Sequence, residues 1–117
     1  MMNTDEEIIR QAYDAFNARN IDAVLAVLSP DVVWANGMEG GYVHGHTELR
    51  EYWTRQWQII NPHVEPLSLT REASGQVRVA VHQVVRDLAG TILADQNVVH
   101  TYLIDNGLVR HMDIVKE

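Results

Sequence analysis

His100 is the residue best placed for acid–base chemistry. It shares one face of an alternating strand with Val98, Tyr102 and Ile104, so it points where apolar side chains point. A histidine there loses hydration, which favours its neutral form unless an acid such as Asp113 compensates. Two other segments supply partners for it. Trp34 and Asn36 share a face of an earlier strand, and Trp53 and Trp57, four apart, form one stripe of a helix. An amide on an inward strand face needs a hydrogen-bond partner, so Asn36 is expected to meet a ligand, a water or His100. His44 and His46 have the spacing of strand-borne ligands. A metal needs a third and fourth donor, so no metal site is expected. His63, beside Pro62 in a turn, reads as solvated. The chain has no cysteine, which excludes thiolate nucleophiles and disulfides. No glycine-rich phosphate loop follows a strand and opens a helix, so no cofactor is implied.

The elements that must position these residues are readable from periodicity and punctuation. Thr4 and Glu7 have the spacing of a capping box, and Ile8, Ala12, Ala15 and Phe16 then recur at helical spacing, with Ile9 and Tyr13 widening the stripe. This helix ends near Arg19 and Asn20. A second, from about Asp22 to Leu28, is stopped by Ser29-Pro30. A strand from Asp31 to Asn36 and a short extended piece, Tyr42-Val43-His44, precede a third helix. That helix is expected to start at a Thr47 N-cap, to run to about Ile60 with Leu49, Tyr52, Trp53, Gln56 and Trp57 on it, and to end at Asn61-Pro62. The remainder reads as strand: Val64 to Ala73, Val77 to Asp87, Ile92 to Ile104, and Leu108 to Val115 after the hairpin signal Asp105-Asn106-Gly107. Helices first and an antiparallel meander after them predict an α+β fold. No linker or repeat interrupts residues 1–117, which are expected to form one domain.

Charge narrows the partners. The formal net charge is −7 and the nine cationic residues are scattered, so the counterion release that drives nucleic-acid binding has no basic stripe to act through. No apolar run reaches the roughly 18 residues of a membrane span. The acidic, polar start lacks the basic and apolar regions of a secretory signal, so a cytoplasmic location is expected.

Three stretches carry a family resemblance. The run from Ile21 to Trp34 resembles the passage from second helix to first strand in the nuclear-transport-factor-2/ketosteroid-isomerase (NTF2-like) superfamily. The run from His44 to Trp53 resembles that superfamily's glycine-marked entry to its third helix. The run from Asp105 to Asp113 resembles its final hairpin. The match is nearest to the SnoaL-like branch and covers nearly the whole chain. It implies a cone: three N-terminal helices packed on a strongly curved, mostly antiparallel sheet that encloses a pocket. Matched by position, the pocket residues are Trp34, Asn36, Met38, Tyr52, Trp53, Trp57, His100, Tyr102 and Met112. A mostly aromatic lining with few polar groups suits a small hydrophobic or carbonyl-bearing molecule.

The resemblance also implies roles. The base of ketosteroid isomerase falls on Asn36, and its oxyanion-hole groups fall on Ala12 and His100. Asn36 cannot take a proton and Ala12 cannot donate one, so isomerisation by that mechanism is excluded. SnoaL-like cyclases resemble the chain in a His on the penultimate strand and an Asp on the last. The implied roles are Asp113 as base, His100 as acid or orienting partner, and Asn36 as donor to a substrate oxygen. Strand parity bears on this pair. Met112 and Asp113 point to opposite faces, and only one face of the last strand enters the cone unless a bulge intervenes. The other reading of His100 and Asp113 is a structural pair across the hairpin. The function class beside an enzyme is a non-catalytic carrier or scaffold. Val99 and Leu103 give the long strand an apolar second face that helices cannot cover, which predicts a homodimer.

Overall fold

The computed structural model describes residues 4–116. Helix α1 (Asp5–Asn17) opens with the capping box, in which the Thr4 hydroxyl oxygen accepts from the Glu7 backbone N–H at 3.2 Å. Its apolar stripe, Ile8, Ile9, Ala12, Tyr13 and Ala15, is buried. Arg19 follows at φ 63°, and its guanidinium reaches the Phe16 and Pro62 carbonyls, tying the end of α1 to the sheet. Helix α2 (Ile21–Leu25) is shorter than its sequence suggests. Leu28 has already left the helix to pair with Val109, and strand β1 (Leu28–Ala35) begins there.

Prolines that read as stops lie inside strands where no ladder bond is lost. Pro30 sits between Leu28 and Val33, where the pairing of β1 with β6 is interrupted. Pro62 and Pro66 lie in β3 (Ile60–Arg71), an edge strand, so this strand starts four residues before Val64. Strand β2 (Tyr42–His44) leads directly into α3 (Gly45–Trp57). Thr47 is therefore inside the helix and is not its cap. Glu48 instead accepts from the His44 backbone N–H at 3.1 Å. Gly45 makes the turn at φ +77°, and a Cβ there would stand 3.3 Å from the Pro30 carbonyl oxygen.

Strands β4 (Val77–Asp87), β5 (Ile92–Asp105) and β6 (Leu108–Lys116) complete one six-stranded sheet in the order β2-β1-β6-β5-β4-β3. Every pair is antiparallel except β1 with β6. Asn106 and Gly107 both have positive φ, the geometry a two-residue hairpin needs. Register shifts interrupt the ladders of β3 with β4, β4 with β5, and β5 with β6, and such bulges bend strands. The last of these matters for the site. Ile104 pairs with Val109 and Leu103 with His111, so Arg110 is the extra residue and Val109 and Met112 both face inward. No helix of the described residues is long and apolar enough to cross a membrane.

Candidate functional site

The inner face of the sheet and the helices enclose a partly open cavity of about 80 Å³. Of the positions expected to line it, Trp34, Tyr52, Trp53, His100, Tyr102 and Met112 do so. Four do not. Trp57 lies behind the wall, stacked on Trp53 with ring centroids 6.1 Å apart and beneath the Arg19 guanidinium at 5.1 Å. Met38 sits in the turn after β1 and is 40% exposed. Asn36 turns its amide into that same turn, accepting from the backbone N–H groups of Met38 at 3.0 Å and Glu39 at 2.8 Å. A short side chain that can satisfy its own turn does so locally, and of the three expected partners, a ligand, a water or His100, the last is not met.

Asp113 is the main correction. It pairs with Thr101, whereas His100 pairs with Ile114, so the two residues point to opposite faces of the sheet. On the outer face Asp113 accepts from the Tyr42 hydroxyl at 2.5 Å and stands 2.9 Å from His111 Nε2. Ile114 takes the inward place beside Met112. The bulge at Arg110 brings Val109 into the core but leaves the parity of the residues after it unchanged. His100 and Asp113 therefore form neither a catalytic nor a structural pair.

His100 is partnered from a different element. Tyr13, on the buried stripe of α1, places its hydroxyl 2.7 Å from His100 Nδ1. The Tyr102 hydroxyl donates to the Tyr13 oxygen at 2.8 Å. With the Tyr13 oxygen so occupied, the Tyr13 hydrogen is available to Nδ1. When Nδ1 accepts it, the proton of the neutral ring is on Nε2, for which no partner occurs among the described residues. Burial pushes the His100 pKa down to about 4. Burial likewise raises Tyr13, with the neighbouring Tyr102 adding to it, and raises Tyr102. All three groups are thus uncharged at neutral pH. The rings brace one another: Tyr13 is parallel to His100 at 5.9 Å and edge-on to Tyr102 at 6.3 Å.

Tyr13 was legible only as part of a helix stripe, and the family match fell on Ala12, one residue short. The signal that finds it is physical: a tyrosine hydroxyl on a buried apolar helix face needs a partner. The structure thereby corrects the inference from Ala12, since a hydroxyl does reach His100. Phe16, Gln56 and Gln83 also line the cavity and were not expected there. None of the described lining residues is Asp, Glu, Lys or Arg, and no group of three or more metal-ligating side chains occurs among the described residues.

Known proteins give the arrangement a family. The SnoaL-like domain model matches residues 9–112. No curated protein matches the chain in sequence. Among solved structures, TerC co-crystallised with polyporic acid is 25% identical, with a TM-score of 0.82 over 95% of this chain and 89% of that one. An NTF2-like protein of unknown function from Burkholderia pseudomallei is 27% identical, with a TM-score of 0.84 over 99% of this chain and 92% of that one. A putative polyketide cyclase from Sinorhizobium meliloti, 19% identical with a TM-score of 0.78 over 92% and 93%, shares the fold. With a family match spanning nearly all of the described residues and an NTF2-like cone built around a buried histidine, the chain belongs to the SnoaL-like family.

Proposed function

We propose that the protein binds a small, neutral, carbonyl-bearing molecule in this cavity and polarises the carbonyl oxygen through the Nε2–H of His100. The observation that carries the reading is the chain from Tyr102 through Tyr13 to His100, which favours the tautomer protonated on Nε2 and leaves that nitrogen without a partner among the described residues inside an aromatic wall. A buried, uncharged imidazole N–H aimed at developing negative charge lowers the barrier to enolisation next to a carbonyl. Isomerase and aldol-cyclase chemistry both begin there. The co-crystallisation of TerC with polyporic acid supports a small-molecule occupant. At about 80 Å³ the cavity is smaller than sites that engulf drug-sized ligands, so a larger occupant protrudes through its mouth.

A second reading, binding without turnover, is favoured by the absence of any carboxylate among the described lining residues. Enolisation needs a base, and in this cavity it has to come from the substrate or from solvent. Acetophenone separates the readings. Binding followed by tryptophan fluorescence is expected to weaken about ten-fold in His100→Phe, the loss for one buried hydrogen bond, while ethylbenzene, which has no carbonyl, binds both proteins alike. Equal weakening for both compounds overturns the role of His100. Accelerated exchange of the acetophenone methyl protons for deuterium marks an enzyme, and tight binding with no acceleration marks a carrier.

We also propose that residues 1–117 form one domain that self-associates through the outer sheet face, where Leu103, Val115 and Tyr42 are exposed. Light scattering is expected to give twice the 13.3 kDa chain mass, and a monomer mass at micromolar concentration overturns it.

A further inference from the structure

The cavity has a second polar point, on α3. Gln56 is 9% exposed and lines the cavity, and its Oε1 atom is buried with no hydrogen-bond partner among the described residues. Its Nε2 is committed, donating to the Tyr52 hydroxyl at 3.2 Å. Gln56 is thus fixed at one end and unsatisfied at the other. A buried carbonyl oxygen without a donor costs about 1–3 kcal/mol, so folds leave one bare where something else completes it.

We infer that Gln56 is a specificity residue that selects ligands carrying a hydroxyl or N–H donor in addition to the carbonyl. The inference rests on the proposed role of His100 and adds a requirement to it. His100 offers the cavity a donor and so asks for an acceptor. Gln56 offers an acceptor and so asks for a donor. With no charged side chain among the described lining residues, the two points together specify a neutral aromatic molecule with a carbonyl oxygen and a separate hydroxyl or amine hydrogen. An anionic ligand would forfeit its hydration with no cation to meet it.

The test compares 3- and 4-hydroxyacetophenone with the matching methyl and fluoro compounds, of similar size but without the donor, by tryptophan fluorescence. At least one hydroxy isomer is expected to bind the unmodified protein about ten-fold more tightly than its methyl analogue, the cost of leaving a buried acceptor bare. In Gln56→Met, which keeps length and removes the acceptor, that preference is expected to vanish and the methyl compound to bind more tightly. Circular dichroism reports whether the variant is folded. If the unmodified protein shows no preference for either hydroxy isomer, or if Gln56→Met retains one, the inference is overturned. The comparison within the unmodified protein stands even if the variant does not fold. If acetophenone binding depends on His100 but no hydroxyl preference exists, the reading of Gln56 falls alone. If no compound binds, both fall together.

Discussion

Trp53→Ala is expected to lower the stability of the fold by about 3–5 kcal/mol, the range for deleting a fully buried aromatic side chain. Trp53 is 1% exposed and is where three elements meet. Its ring stands edge-on to Trp34 of β1 at 5.5 Å and to Phe16 of α1 at 5.9 Å, and it stacks on Trp57 one turn along α3. Removing it deletes three aromatic contacts and opens the cavity wall toward Trp57, which nothing else on α3 can refill. Urea denaturation measures the loss, and ligand binding should disappear with it because Trp53 is itself part of the lining. Met38→Ala, on a side chain 40% exposed in the turn, serves as the control and should stay within about 0.5 kcal/mol. A loss below about 1.5 kcal/mol for Trp53→Ala would mean that the α3 wall is not what holds the cone together.

The fold was legible because its signals are local. The capping box, the Asn106-Gly107 turn and the alternating valines of β4 each specify their own geometry, and the order of elements did the rest. Boundaries failed where proline was read as a stop. A strand tolerates proline at an edge or beside a gap in its ladder, and both conditions depend on partners far away in sequence. The site was legible on its aromatic side for the same local reason: Trp53 lies on a helix face, Trp34 and His100 on strand faces, and these faces must be buried. Its polar side was not. Asp113 was assigned by family position against its own strand parity, and parity prevailed because a one-residue shift reverses the face. Tyr13 and His100 lie 87 residues apart, and no periodicity in either segment announces their contact. Asn36 shows the converse. An amide able to bond two backbone N–H groups of its own turn has no need of a distant partner.

The largest pH effect is expected at His100. Its pKa is about 4 in the folded protein against 6.5 for an ordinary histidine, and desolvation is the cause. The titratable groups that touch it, Tyr13 through its hydroxyl and Tyr102 through its ring edge, are both kept neutral by burial, so neither supplies a charge to offset the cost. The unfolded chain therefore takes up this proton first as the pH falls. Between pH 6.5 and about 4 the unfolded state binds more protons at this site than the folded one, and stability drops as acid is added. The contribution is fully present above pH 6.5 and is lost by about pH 4, and the gap between the two pKa values corresponds to about 3 kcal/mol. His82 beside Asp95 and His111 beside Asp113 lie outside the cavity and are common to any variant at position 100, so a difference measurement cancels them. Urea denaturation of the unmodified protein and of His100→Asn at pH 7 and pH 4 is expected to show the unmodified protein losing about 3 kcal/mol more than the variant over that interval. His100→Asn itself should be less stable at pH 7, because it leaves the Tyr13 hydroxyl without its acceptor. The sign of the difference in slope is what decides the question. Equal slopes would mean that His100 gains a proton as readily folded as unfolded, and an imidazole that does so is not the neutral donor on which the proposed carbonyl recognition depends.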